Sequence, residues 1–523
     1  MTMSALRSSI TSAWTLVILA TAGPGLDAGM LASRETDELL HYARDTWASF
    51  EAMTYPGGLP ADRLLRNAEG RWAPDTHTST TDVAAYLWSV VAAEDLRIID
   101  RDRAGRRLDR ALAAVSRLER AHGFFFNWYD ARSGARLDAW PIGGAPMRPF
   151  LSTVDNGWLA AALIVVGNAR PEFHDRVEAL LGPMDFRFFY DPYDPSNPTS
   201  HPGHLRVGYF ADTSTFTGSW YGMLNSEARI ASYVGIARGQ LPAEHYYRLY
   251  RTLPPDRRWQ GHEPAGEVRA YEGVPVFEGH YTYRGLQVVP SWGGSMFEAL
   301  MVPLFVPEDR WAPRSWGLNH PLYVRAHLEY GLRDLDCGFW GFSPARGPRH
   351  HYGEYGVGAI ATKPGGYPPG DVEESAAGSG GRVHGVVTPY ASFLALGFAR
   401  SEALANLRSL AGHFAVYGRF GFADSVDVAC GRTADAILAV DQGMILAAIA
   451  NALDGDVMKR HFCRGPVETA IRPLIAPERF TAAAPTIDHA KLASEASAAD
   501  DGPSSPARTK EGPIPRGRQP SSN

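Results

Sequence analysis

Three acidic regions of this chain lie far apart in sequence, each set among aromatic residues and glycines. Asp155 sits in Ser152-Thr153-Val154-Asp155-Asn156-Gly157, and Glu227 in Met223-Leu224-Asn225-Ser226-Glu227-Ala228-Arg229. Asp424 and Asp441 lie in Gly421-Phe422-Ala423-Asp424 and Val440-Asp441-Gln442-Gly443. Cleavage of a glycosidic bond needs such a set. One carboxyl must stay protonated beside the leaving oxygen, and another must stay ionised to activate water. Any one of these acids alone reads as a helix cap or a surface charge; the set is what points to chemistry.

The elements that must position these acids are helical. Apolar residues recur with helical period over 35–50, 80–98, 105–122, 156–166, 226–235, 243–250, 296–305, 323–332, 389–396, 401–414 and 434–453. Two kinds alternate: the helix near 104–122 is arginine-rich on one side, whereas 158–167 and 437–450 are apolar nearly all round. Roughly twelve helices in buried and exposed alternation predict an all-α fold, an (α/α)6 barrel of two concentric rings. Inner helix ends and their long loops would then form one pocket, with 190–202 and 363–381 as loops over it or away from it. Short β-like pieces at 186–190 and 205–210 fall in the links, and no strand–helix alternation supports a parallel sheet.

Composition narrows the partners. The chain has 523 residues, 45% hydrophobic and 21% charged, with a net charge of −6, which fits a globular protein and gives no field for nucleic acid or an anionic membrane. The 13 Trp, 22 Tyr and 23 Phe supply flat faces on which sugar rings stack, and which a helical core also needs. The three cysteines, Cys337, Cys430 and Cys463, have no Cys-x-x-Cys spacing, so a zinc ribbon or disulfide framework is not expected; one bridge remains open. Arg7, the apolar run 14–22 and Gly23-Pro24-Gly25 have the layout of a secretory signal, too short to span a bilayer. Residues 1–29 are therefore expected to be a signal segment, 30–475 the helical domain and 476–523 a disordered tail. A secreted or periplasmic monomer acting on an oligo- or polysaccharide follows as the expectation, with no cofactor and no metal.

Eight motifs in order carry a resemblance. They are Thr78-Ser79-Thr80-Thr81-Asp82, Phe126-Asn127-Trp128-Tyr129-Asp130, the Asp155 segment, Asn225-Ser226-Glu227-Ala228-Arg229, Ser291-Trp292-Gly293-Gly294-Ser295-Met296-Phe297-Glu298, Trp340-Gly341-Phe342-Ser343, Thr388-Pro389-Tyr390-Ala391 and Asp441-Gln442-Gly443. The series resembles the bacterial glucoamylase-like family, which includes endo-β-1,2-glucanases and the transglycosylating domain of cyclic β-1,2-glucan synthases. The resemblance implies an (α/α)6 barrel and glycoside hydrolysis or transfer. It implies Glu227 as general acid and Asp424 as base, and it matches Asp155 to a substrate-site aspartate. Retaining members carry a nucleophilic glutamate after the Trp-Gly-x-Ser motif; here that position is Pro344, which favours the inverting, hydrolytic branch.

Competing roles stand beside these. An Asn225 cap would put Glu227 in a first helical turn, where the dipole lowers a carboxyl pKa, so burial near Trp220 and Tyr221 would have to overcome it. Asp155 also reads as the N-cap of a helix starting near Gly157. Asp441 lies in an apolar run and needs a partner, either orienting Asp424 or Arg229 or closing an ion pair. Glu298 reads as a sugar contact or as packing. Trp128, Trp140, Trp220, Trp292 and Trp340 read as sugar platforms or core, and Arg229 and Gln442 as substrate contacts. His350, His351, Tyr352 and Glu354 lack the convergent spacing of a metal site, so Tyr352 is assigned to a substrate loop. The alternatives are a hydrolase of another bacterial polysaccharide on the same barrel and a non-catalytic glycan-binding protein.

Overall fold

Helices succeed one another along the chain, joined by short antiparallel strands. The computed structural model describes residues 26–141, 143–255, 260–348, 352–363 and 385–484, with side chains from Ser33 onward. Among the described residues run α1 (Leu26–Met53), α2 (Thr80–Asp95), α3 (Arg101–Val115), α4 (Thr153–Ala169), α5 (His174–Leu181), α6 (Arg229–Ala237), α7 (Glu244–Arg248), α8 (Met296–Leu300), α9 (Glu308–Trp311), α10 (Trp316–Glu329), α11 (Pro389–Leu394), α12 (Arg400–His413), α13 (Ala439–Leu453), α14 (Val457–Phe462) and α15 (Pro466–Ile475).

Burial separates them as the sequence pattern requires. Apolar residues surround α2, α4, α6, α8, α11 and α13, and each is buried along most of its length. By contrast α3 keeps its arginines outward and buries Ala104, Leu108, Ala111, Leu112, Ala114 and Val115. The buried helices meet in sequence: α2 packs on α13 and α4, α4 on α6, and α11 on α13 and α8. Outside them α1 lies on α13, α3 on α2, α5 on α4, α10 on α8 and α12 on α11. Glycine sets the closest approaches. A Cβ at Gly157 would fall 2.7 Å from the Cβ of Ala231, where α4 meets α6, and one at Gly443 would fall 2.7 Å from the Cβ of Ala85, where α13 meets α2. At such density any added methyl forces the helices apart.

All the expected helices are present, with shifted ends. The helix expected to reach 122 stops at Val115, because Arg120–Ala121 pairs with Phe124–Phe125 around left-handed His122 and Gly123. The one expected from 434 starts at Ala439, because Ala436–Leu438 pairs with the strand Arg63–Arg66. Phe186–Phe189 is a 3-10 turn rather than a strand. The periodicity missed α5, α9, α14 and α15, and also the antiparallel sheet Ala265–Tyr271, Val274–Tyr283 and Leu286–Val288. The three cysteines are free thiols. Among the described residues no helix is long and apolar enough to cross a membrane.

Both ends of the described chain bear on the expected boundaries. Helix α1 begins at Leu26, inside the expected signal segment, whose residues 1–25 lie outside the described residues. At the other end the chain is packed beyond 475, and the described residues to Ala483 form one compact unit. Glu478, Phe480 and Ala482 are buried; Glu478 pairs with the fully buried Arg251, Phe480 packs edge-on against Trp316, and Ala483 exchanges two backbone bonds with Gln287. The expected tail thus starts too early, since the alanines and the proline in 476–483 hid a strap that buries Glu478 and Phe480. Ending the chain at 484 should leave the denaturation midpoint unchanged, whereas ending it at 475 should cost at least about 3 kcal/mol by urea unfolding, because Arg251 and the Trp316 surface lose their partners.

Candidate active site

Three of the buried helices open with the same device. Ser79, Ser152 and Ser295 cap α2, α4 and α8, and an acid at the third helical position, Asp82, Asp155 or Glu298, gives its backbone N–H to the cap hydroxyl. Asp441 holds the same third position on α13 without a serine cap. Glu227 lies two residues before α6, and Tyr390 is the second residue of α11. Side-chain interactions join these helix starts. Thr81 donates to Asp155 at 2.5 Å, the buried Tyr221 hydroxyl feels the charges of Glu227 and Asp155, Glu298 acts on Glu227, and Tyr390 lies beside Asp441 and Asp424.

Glu227 is 8% exposed, and the Ser226 hydroxyl bonds its Oε2 at 3.1 Å. Burial, and then the charge of Glu298, push its pKa up to about 7. Asn225 does not cap α6: its amide donates to the Val289 carbonyl at 3.0 Å, and Ala228 is the cap residue. Glu227 therefore stands outside the helical first turn that would have lowered its pKa. Neighbouring Glu298 is saturated instead. It accepts from the Ser291 hydroxyl at 2.7 Å, from the Gly293 and Ser295 amides at 3.0 and 3.1 Å, and from the Ser295 hydroxyl at 2.9 Å.

Across the helix starts, Asp424 follows the strand Gly421–Phe422 and is 2% exposed. Neither of its oxygens meets hydrogen-bond geometry with a protein donor among the described residues. Burial lifts its pKa to about 7, opposed by the Asp441 carboxyl and the Arg346 backbone amide. Asp441 is raised well above its ordinary value, by burial and then by the charge of Asp424, so the two carboxyls hold a proton between them as a pair. Behind them His77 pairs with Asp75 at 3.3 Å and Asp62 at 3.5 Å, which raise its pKa to about 10 against burial. Asp427, three residues after Asp424, lies in a turn: its Oδ1 accepts from the Ala429 amide, and its carbonyl accepts from the Cys430 and Gly431 amides.

Other expected site residues divide. Asp155 is not an N-cap; Ser152 is, and the Asp155 carboxyl accepts from Ser152 and Thr81, with burial raising its pKa. With the Asn127 amide turned to satisfy both ends, it bonds Asp155 and the Trp128 indole at 3.0 Å each. Trp128 is half-buried and edge-on to Trp140 and His77. Trp220 gives its indole N–H to Asp191 at 2.7 Å under the Arg206 guanidinium, and Trp292 is half-buried. Tyr352 is 58% exposed, while His350 and His351 lie outside the described residues.

Four substrate contacts expected from the sequence are corrected. Arg229 is 1% exposed and fully engaged: it grips Glu308 at 2.7 and 3.0 Å, donates to the carbonyls of Leu224 and Ser226, and lies 4.1 Å over the Trp316 ring. It anchors the backbone on either side of Asn225 rather than reaching sugar. Glu298 spends its oxygens on its own loop. Gln442 is 1% exposed and gives its amide to the Phe422 carbonyl, propping the strand that leads to Asp424. Trp340 is core, with both backbone groups bonded to Asn406. Conversely, Asp82, His77, Tyr221 and Tyr390 received no role from the sequence. The repeated Ser-x-x-acid spacing at 79–82, 152–155 and 295–298 was the signal for Asp82. Two surface clefts of about 270 and 200 Å3 lie elsewhere, lined by none of these acids.

Known proteins share this arrangement of chain. Residues 224–463 match the Glycoamylase family, described as "Putative glucoamylase", and residues 41–187 match a family of proteins of unknown function, DUF3131. The cyclic β-(1,2)-glucan synthase NdvB of Rhizobium meliloti is 24% identical over 86% of this chain; the chain spans 19% of that relative's length. An endo-β-1,2-glucanase of Chitinophaga pinensis, solved with sophorotriose and glucose, superposes with a TM-score of 0.60 at 14% identity, over 84% of this chain and 98% of its own. A structure from Bacteroides caccae described as a putative glucoamylase gives 0.59 at 16% identity, over 85% and 98%. The glucoamylase-like resemblance read from the motifs is borne out, and these superpositions establish the shared helix-rich fold.

The Arg229–Glu308 pair has a measurable consequence. Tyr233 and His320 also bond Glu308, all of them inside the core. Glu308→Gln should destabilise the protein by about 3–5 kcal/mol in urea unfolding, because it strands a buried guanidinium, and the double replacement Arg229→Met with Glu308→Leu should recover much of that loss.

Proposed function

We propose that this chain is a glycoside hydrolase that cleaves β-1,2-linked glucan with inversion, Glu227 acting as general acid and Asp424 as general base. The observation that carries the reading is two buried carboxyls near these helix starts, each with its pKa lifted to about 7 and each set against a further acid. Glu227 lies beside Glu298, and Asp424 beside Asp441. Glu227 gives that proton to the glycosidic oxygen as the bond to C1 breaks. Asp424 takes a proton from the attacking water, directly or through a sugar hydroxyl. The proton shared with Asp441 stabilises Asp424 once it is ionised. Pro344, whose carbonyl accepts the Tyr390 hydroxyl at 2.8 Å, offers no nucleophile for a retaining route. Asp155, Trp128, Trp220, Trp292 and Tyr352 are the proposed sugar contacts.

The β-1,2 linkage is supported by likeness to the Chitinophaga glucanase and the Rhizobium synthase. The same reading takes α2, α4, α6, α8, α11 and α13 as the inner ring of an (α/α)6 barrel, supported by their order of packing. It also takes the enzyme to act as a monomer outside the cytoplasm, after loss of a signal segment within residues 1–29.

Incubation with linear and cyclic glucans of several linkages, with products separated by chromatography, tests the substrate; turnover of β-1,2-glucan alone is expected. Glu227→Gln and Asp424→Asn should each lower turnover by roughly 10²–10⁴-fold, and Asp427→Asn should stay near wild type. Because kcat/KM follows the free enzyme, its profile should be a narrow bell centred near pH 7. It falls on the acid side as Asp424 gains a proton and on the alkaline side as Glu227 loses one. Proton NMR of the first product from a β-1,2-glucan should show the α-anomer, and early β-anomer would overturn inversion.

A further inference from the structure

Glu354 is a third carboxyl beside Glu227 and Glu298, and neither the motifs nor the proposed mechanism uses it. It follows the two-residue strand Tyr352–Gly353, which pairs with Ala345–Arg346 in antiparallel register, Ala345 opposite Gly353. Continuing that register one step brings Glu354 opposite Pro344. The chain is then pinned over the turn before α8: the Val357 amide bonds the Gly294 carbonyl at 2.9 Å, and a Cβ built on Gly293 would lie 3.0 Å from both the Cγ and the Oε1 of Glu354. The Gly293 amide itself bonds Glu298. The Glu354 side chain therefore lies across a bare glycine from Glu298, in a place any other residue at 293 would invade. Its Oε1 is buried and has no hydrogen-bond partner among the described residues. A buried polar atom left without a partner costs roughly 1–3 kcal/mol unless something satisfies it.

We propose that Glu354 binds substrate through its carboxyl O–H, donating a hydrogen bond to a sugar oxygen beside the group that Glu227 protonates. This rests on the hydrolase reading above. The surroundings select the donor role over the nucleophile that a glutamate opposite Pro344 might suggest. Ser295 is the hydroxyl beside it, while Glu227, Glu298 and the Tyr323 phenol face it, and no cation does so among the described residues. Burial, followed by the charges of Glu298 and Glu227, pushes its pKa well above the ordinary carboxyl value. A carboxyl kept neutral in this way can donate at a pH where an exposed one only accepts.

Replacement by a neutral donor and by a non-donor of similar length separates the roles. On linear β-1,2-glucan, Glu354→Gln should stay within about threefold of wild type in kcat/KM. Glu354→Met and Glu354→Ala should each lose roughly 5- to 100-fold with an unchanged thermal midpoint, the size expected for one buried bond to substrate. A Glu354→Gln enzyme as inactive as Glu227→Gln, or azide rescue of Glu354→Ala that yields the α-glycosyl azide, would overturn the donor role in favour of an ionised nucleophile. Full activity in Glu354→Met or Glu354→Ala would overturn any contact with substrate. A drop in midpoint that tracks the loss of activity in both would assign Glu354 to packing instead. Wild-type protein inert on every glucan would instead sink the hydrolase reading itself, a result distinguishable from all of these.

Discussion

The constraint on which this site depends is the desolvation of carboxyl groups, relieved to different degrees at the starts of buried helices. An acid at the third helical position meets unpaired backbone amides and the positive end of the peptide dipoles. Asp82, Asp155, Glu298 and Asp441 all stand there. No such group is cheap to bury, so the number of donors each one finds decides whether it keeps a charge or a proton. Glu298 finds the amides and hydroxyls of its own loop; Asp441 finds chiefly another carboxyl. Gly157 and Gly443 matter for the same reason, since the close helix approaches they allow bring these starts to one place.

The two carboxyls proposed as acid and base differ in their neighbours. Glu227 has one serine hydroxyl and a neighbouring charge, so its proton is retained. Asp424 lies beside Asp441 and the Arg346 amide, and the two carboxyls raise each other's cost of ionisation. The cations stand one layer back. Arg229 holds the carbonyls of Leu224 and Ser226, and His77 sits between Asp62 and Asp75. Placed there, Arg229 fixes the backbone on either side of Asn225 while its charge stays paired with Glu308.

Much of this was legible in the sequence, for a physical reason. Helical period, the Ser-x-x-acid capping pattern and the ordered motifs are local signals; they located the buried helices and singled out Glu227, Asp424 and Asp155 as candidates. What failed was anything decided by orientation. Arg229 sits in the same motif as Glu227, yet its side chain turns inward to Glu308, a partner 79 positions away. Trp340 and Gln442 likewise belong to motifs through which they support the site from behind. The strap at 476–483 was lost because its composition is that of a tail, while its burial depends on Arg251, Trp316 and Gln287, all distant in sequence.

The two sets of acids pull stability in opposite directions with pH. Glu227 and Asp424 have folded-state values near 7 against ordinary values of 4.5 and 3.8, so between those limits the folded chain binds more protons than the unfolded one. Stability must then fall as pH rises through that window and level off above it. Glu308 has the reverse sign: Arg229 and His320, overcoming burial, hold it near 2, so its contribution is complete above about 4.5 and is lost as pH falls towards 2. The Arg229–Glu308 pair is therefore fully formed at the pH where Glu227 and Asp424 change their protons. Ion pairing in the second layer lets the first layer titrate without loosening the backbone that carries it.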